Sequence, residues 1–110
     1  IAIVGVCASG KSTLAKALRE RGYNARQVLQ EHSYVPYMWQ RITRPDILIY
    51  LDCSLETTRR RRNSDFPGWI AELERERLRH ARQHCHIYID TDPLAPGEVL
   101  EQALSRLPLS

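Results

Sequence analysis

Apolar residues along the chain follow two alternating rhythms. Short unbroken runs, Ile1-Ala2-Ile3-Val4 and Ile47-Leu48-Ile49-Tyr50-Leu51, have the length and β-branched content of strands buried on both faces, and His86-Ile87-Tyr88-Ile89-Asp90 predicts a final strand. Between them the spacing turns helical. Leu14, Ala17 and Leu18 share a face of a helix over Lys11–Arg21, with Gly22 as its left-handed stop. Ile70, Leu73, Leu78 and Ala81 do the same in a long helix from Trp69, whose solvent side pairs Glu72 with Arg75 and Glu76 with Arg79. Val99, Leu100, Ala103, Leu104 and Leu107 mark a last helix that Pro96 opens at its first position. Ala25-Arg26-Gln27-Val28-Leu29 is only partly apolar and reads as an edge strand ending at Gln30-Glu31-His32. Ser33 to Arg44 reads as a short helix or structured crossover, closed by Pro45. Ser54 caps a helix from Leu55 through Arg59-Arg60-Arg61-Arg62, and the polar run Asn63-Ser64-Asp65-Phe66-Pro67-Gly68 predicts an exposed loop.

Strands alternating with helices predict an α/β fold, a three-layer doubly wound parallel sheet of about four strands in one domain over 1–110. Right-handed crossovers then bring all strand C-termini to one rim. Gly5–Ser12, Glu31, Asp52 and the Asp90–Leu94 turn are expected there, where ligands bind in such folds.

The first of these segments changes the picture most. Gly5-Val6-Cys7-Ala8-Ser9-Gly10-Lys11-Ser12 satisfies G-x-x-x-x-G-K-[ST], between a strand and a helix. A glycine-rich turn points successive N–H groups inward at phosphates, Lys11 sets an ammonium near the outer ones, and the Ser12 hydroxyl can ligate Mg²⁺. The expected ligands are therefore ATP and Mg²⁺, with Gly5, Ala8, Ser9, Gly10, Lys11, Ser12 and Thr13 around the phosphates.

Composition adds bounds. The chain has 110 residues, 43% of them apolar, and a net charge of +3 that suits small anionic ligands without implying nucleic acid. Its 3 cysteines, at unrelated spacings, point to reduced thiols and a cytoplasmic setting. No apolar run reaches membrane-spanning length and no signal peptide is visible. Ile1 already lies inside a strand, so the natural start of the protein is expected upstream.

Other residues at the rim are candidates for the chemistry. Asp52 ends an apolar strand and is the first choice for the carboxylate that assists Ser12 at the metal; a plain cap or loop contact is the competing reading. Glu31 can orient an acceptor hydroxyl or act as base, or be a solvated loop residue. Arg59 and Arg62 stand for an arginine run that can close over transferring phosphates, although four in a row point in different directions and some must be solvated. Arg41 and Arg44 can hold an anionic acceptor or lie on the surface. His80, His84, Cys85 and His86 crowd together, but no second pair completes a zinc tetrahedron. Cys7 has no base partner in sequence for a nucleophile's role.

Taken together, Gly5–Thr13, the segment Pro45-Asp46-Ile47-Leu48-Ile49-Tyr50-Leu51-Asp52, the arginines before a loop, and Ile87-Tyr88-Ile89-Asp90-Thr91-Asp92 with Pro96-Gly97-Glu98-Val99 resemble the small P-loop kinases of nucleosides, nucleotides and metabolites. The resemblance covers nearly the whole chain, and only the phosphate loop is highly specific. It implies an ATP–Mg²⁺ phosphotransferase in which Lys11 and Ser12 serve phosphates and metal, arginines among Arg59–Arg62 form a lid, and Asp92 and Leu94 border the adenine. The chain lacks the Asp-Gly-x-Pro-Arg segment of nucleotide kinases, the Asp-Arg-x pair of deoxynucleoside kinases and the Asn-Lys-x-Asp segment that reads guanine. Two functions stand open: transfer of the γ-phosphoryl group to a small-molecule acceptor, and a nucleotide-binding regulatory module or slow NTPase with no acceptor. Nucleic-acid binding is disfavoured because aromatic residues do not interleave the basic ones. Nothing in the sequence specifies an oligomeric state.

Overall fold

The computed structural model describes residues 1–33 and 47–107. The crossover expected after Ser33, together with Arg41 and Arg44, lies outside the described residues. Four strands, β1 (Ala2–Gly5), β2 (Arg26–Gln27), β3 (Leu48–Asp52) and β4 (Ile87–Asp90), form one parallel sheet in the order β2-β1-β3-β4. The helices are α1 (Lys11–Glu20), α2 (Leu55–Arg62), α3 (Gly68–His84) and α4 (Pro96–Arg106), and a 3-10 turn spans Gln30–His32. The chain runs from β1 outward to β2 and returns to place β3 on the other side of β1, so the switch point lies between β1 and β3.

Alternation along each strand builds two apolar layers. Ile3, Ile49, Leu51, Ile87 and Ile89 face Leu14, Leu18, Val99 and Ala103 of α1 and α4. Ala2, Val4, Leu48 and Tyr50 face Leu78 and Ala81 of α3. This is the expected three-layer α/β arrangement. Residues such as Leu18, Ile49 and Leu78 are 0% exposed, each contributing about 1.5–3 kcal/mol of transfer free energy.

Two expectations need correction. The edge strand expected over Ala25–Leu29 shortens to Arg26–Gln27, because after Val28 donates its N–H to the Ile3 carbonyl the chain turns out at Leu29, half-exposed, and tucks Gln30 and Glu31 inward. Of the two solvent-side pairs expected on α3, Arg79 does pair with Glu76, but Arg75 turns to the sheet and meets Asp52 at 3.2 Å. A partly buried carboxylate holds that guanidinium better than an exposed glutamate one turn away. Elsewhere Ser54 Oγ accepts the Thr57 N–H as an N-cap, and Gly22 is left-handed (φ 89°). Ile70 and Leu73 are half-buried, whereas Leu78 and Ala81 are fully buried.

Candidate nucleotide-binding site

The loop after β1 passes so close to β3 that a Cβ on Gly5 would stand 2.3 Å from the Leu51 carbonyl oxygen and 2.7 Å from Ser9 Oγ. Only glycine permits that approach. Ala8 (φ 62°) and Gly10 (φ 96°) take left-handed conformations, curling the backbone ahead of α1. The positive end of the α1 dipole and its unpaired first-turn N–H groups open onto the curl, the electrostatics an anion requires. Ser9 Oγ is buried within the loop with no hydrogen-bond partner among the described residues. The exposed Ser12 stands in the first turn of α1.

Lys11 is 7% exposed, low for a lysine, and its ammonium has three acceptors. It donates to the carbonyls of Gly5 and Val6, both at 3.1 Å, and lies 2.6 Å from Glu31 Oε2. The 3-10 turn thus delivers Glu31, 2% exposed, to the phosphate lysine. Gln30 Nε2 donates to the Arg77 carbonyl and Arg77 to the Glu31 carbonyl, both at 3.3 Å, tying this turn to α3.

A second carboxylate stands behind the loop. Glu74 of α3 is 2% exposed, and its Oε1 accepts the Cys7 N–H at 3.1 Å. Burial pushes its carboxyl above the usual range, with the Glu31 charge adding to that, against the downward pull of the Cys7 N–H, Lys11 and His32. The sign of the consequence follows from proton counting. The folded chain holds this proton more tightly than the unfolded one, so Glu74 lowers stability as pH rises from the ordinary carboxylate value through its raised value. Glu74→Gln keeps an acceptor for Cys7 and removes the charge. It is expected to melt a few degrees above wild type at pH 8 and to lose that advantage by pH 4, as read by thermal melts across the range.

Asp52, 8% exposed, ends β3 between the loop and β4. Its Oδ1 accepts from the Cys53 N–H (2.9 Å) and Arg75 (3.2 Å), and its Oδ2 from the Tyr88 hydroxyl (2.5 Å). Burial, followed by the Asp52 hydrogen bond and charge, pushes the Tyr88 phenol up to about 12, so it remains a donor. Oδ2 therefore keeps a lone pair for a metal-bound water. Ser12 and Asp52 are hard oxygen donors, and with solvent ligands they fit Mg²⁺.

A cavity of about 240 Å³ opens beside the loop, lined by Ala8, Ser9, Gly10, Thr13 and Leu14, by Arg61, and by Thr91, Leu94, Pro96 and Val99 beyond β4. It is the size of a base and part of a ribose, with apolar walls of the kind that hold a ring. Leu94 lines the cavity. Asp92 does not line this cavity; it accepts the Ser54 N–H at 2.8 Å and anchors the start of α2. Burial works to raise its carboxyl, but hydrogen bonds from Ser54 and Thr57 and the Arg61 charge outweigh burial and hold it below the usual range.

The arginine run divides its work. Arg59 donates to the Phe66 carbonyl at 2.9 Å and holds the loop after α2. Arg62 reaches Cys7 Sγ at 2.7 Å and lies 5.2 Å over the Phe66 ring. The residue that spans the cavity mouth is Arg61, which sequence reasoning did not separate from its neighbours. It donates to the Ala8 carbonyl (2.9 Å), Thr91 Oγ1 (3.0 Å) and the Thr91 carbonyl (2.7 Å). Arg61→Ala is expected to weaken nucleotide binding about 10-fold, the worth of one charged hydrogen bond, as read by equilibrium titration.

His80 and His84 stack on each other with centroids 4.2 Å apart, and His86 Nδ1 accepts the Leu48 N–H at 2.9 Å. Among the described residues no group of three or more His, Cys, Asp and Glu side chains is placed to hold a metal ion, and no helix is long and apolar enough to cross a membrane. No match is found among curated proteins. A protein-family model described as an AAA domain matches residues 1–94, the span from β1 through the β4 rim. With that match joined to the curled loop, the buried lysine and the parallel sheet, the chain belongs to the AAA-domain family of P-loop nucleotide-binding proteins.

Proposed function

We propose that the chain is a small phosphotransferase that binds ATP with Mg²⁺ at the β1–α1 loop and transfers the γ-phosphoryl group to a small-molecule acceptor. The observation that carries this reading is the contact of Lys11 with Glu31, which puts a buried carboxylate at the point where the outer phosphates would end. Such a group orients an acceptor and receives its proton, a task for which simple nucleotide binding has no use.

The roles follow from position. Gly5, Ala8, Ser9, Gly10 and Thr13 shape the phosphate cradle, and Lys11 turns from Glu31 to the phosphates. Arg61 and Leu94 bound the base. Ser12 and Asp52, the latter through water, would hold Mg²⁺, which when bound offsets charge on the phosphates. Arg59 and Arg62 act as a lid through the loop they restrain and through the edge at Cys7. Asp92 acts by fixing α2, and hence Arg61.

A regulatory or slow NTPase module would share the donor site and need no acceptor, and membership of the AAA-domain family is compatible with it. ADP release across pooled metabolites, with Lys11→Ala as control, separates the two. Release that an acceptor pool raises above the basal rate supports the kinase; a basal rate that no pool raises defeats it.

A further inference from the structure

The nucleotide site as described leaves two neighbouring thiols without a task. Cys7 and Cys53 each stand two residues beyond Gly5 and Leu51, the last pair in the β1–β3 register. The two chains stay together past that pair: Cys53 Sγ lies 3.7 Å from the Cys7 carbonyl oxygen, and Thr58 of α2 donates to the same carbonyl at 3.2 Å. Adjacent strands run about 4.8 Å apart, inside the span of about 4.4–6.8 Å that a disulfide bridges between Cα atoms. The thiols differ in access. Cys53 is 3% exposed and its sulfur sits 3.3 Å from Thr58 Oγ1, whereas Cys7 is only half-buried and takes Arg62 Nη1 at 2.7 Å on the exposed edge of the loop. A small neutral oxidant can therefore reach Cys7 first, with a guanidinium beside it to donate to the oxygen that leaves. The third cysteine, Cys85, lies at the opposite end of the sheet, where the next residue, His86, donates its N–H to the Leu48 carbonyl at the start of β3.

We propose that Cys7 and Cys53 are a peroxide-sensitive pair: hydrogen peroxide oxidises Cys7, Cys53 closes a disulfide onto it, and the phosphate loop is out of use until a thiol reduces the bond. In the first step the Cys7 sulfur bonds to one peroxide oxygen as the O–O bond breaks, giving a sulfenic acid and one water. In the second the Cys7 side chain turns from Arg62 to Cys53, the S–S bond forms as the S–O bond breaks, and the hydroxyl leaves with the Cys53 proton as a second water. The thiol pair thus loses the two electrons that the peroxide gains. The cross-link acts on the loop because the Cys7 main chain is held at both ends, its N–H by Glu74 and its carbonyl by Thr58. Drawing the sulfur toward β3 strains the left-handed turn at Ala8 (φ 62°) that follows, so the N–H groups no longer converge on phosphates. A bond of this kind, formed between thiols otherwise kept reduced, is transient and sensing in character.

The test treats the full chain carrying Cys85→Ser with hydrogen peroxide, maps its peptides by mass without reduction, and titrates ATP with Mg²⁺ before treatment, after it, and after dithiothreitol. A Cys7–Cys53 peptide pair within one chain is expected, with ATP affinity lowered about 10-fold or more and both changes reversed by dithiothreitol. In the same background Cys53→Ala is expected to bind ATP as before, to form no cross-link, and to carry Cys7 on to the sulfinic acid, which dithiothreitol does not reverse. Should that variant fail to fold, Cys53→Ser keeps a partner for Thr58 and serves in its place. Cys7 left unoxidised, oxidised with no cross-link while Cys53 is present, or linked between two chains overturns the pairing. A mapped disulfide that leaves ATP affinity unchanged overturns its control of the loop. Peptide mapping reads the cross-link without any phosphoryl transfer, so its failure is distinct from that of the kinase reading.

Discussion

Lys11→Ala is expected to destabilise the fold as well as abolish use of ATP. The ammonium it removes is the counter-charge of Glu31, a carboxylate 2% exposed and 2.6 Å away. Breaking a buried pair from one side leaves an uncompensated charge, a loss of about 3 kcal/mol or more, set against a total stability of about 5–15 kcal/mol for a domain. The double variant Lys11→Ala/Glu31→Gln removes both charges and is expected to recover most of that stability in urea unfolding, while its affinity for ATP stays lost. If Lys11→Ala unfolds at the wild-type midpoint, the ion pair is not the buried contact described here.

Asp52→Asn carries the second large effect. The amide keeps the shape, and its single oxygen can serve either Tyr88 or the Cys53 N–H with Arg75, but not both. Melting is therefore expected to fall by only a few degrees. Turnover is expected to drop about 100-fold, with the Mg²⁺ concentration for half activity rising about 10-fold, because a neutral amide holds a metal-bound water far less well than a carboxylate. A Mg²⁺ titration of ADP release checks it; an unchanged metal requirement and unchanged turnover would leave Asp52 as a tether for Arg75 and Tyr88.

Gly5, Gly10 and Lys11 were legible in the sequence because loop, strand and helix are contiguous, and the motif encodes backbone conformations that only certain residues allow. The parallel sheet was legible because β1 and β3 are continuous apolar runs, a pattern that only burial on both faces explains. Arg75 is not legible in this way because the i, i+3 rule sees only its own helix, while its partner, Asp52, is 23 residues away. Glu74 went unnoticed, although a signal existed: it lies four residues before Leu78 and seven before Ala81, so it shares their buried face of α3. A glutamate on a core stripe wants a polar partner, and the Cys7 N–H supplies it from 67 residues away. Arg61 is a matter of phase. Four consecutive arginines differ only by the helical step, and which one faces the cavity depends on how Ser54 and Asp92 set the start of α2.

That helix also explains why the site coheres. From neighbouring positions of α3, Glu74 holds the phosphate loop, Arg75 holds the end of β3, and Arg77 holds the 3-10 turn that carries Glu31. One rigid element thus fixes the relative positions of the phosphate cradle, the candidate metal carboxylate and the candidate acceptor carboxylate, the arrangement that in-line transfer requires.

A nucleotide site organised by Lys11 has a calorimetric signature: ATP with Mg²⁺ titrated at equilibrium into the intact chain and into Lys11→Ala/Glu31→Gln. Saturable binding of one ATP per chain, weakened about 100-fold or more in the double variant, is the expected result. Absence of saturable binding by wild type, or binding by the double variant as tight as wild type, would contradict a site organised by Lys11.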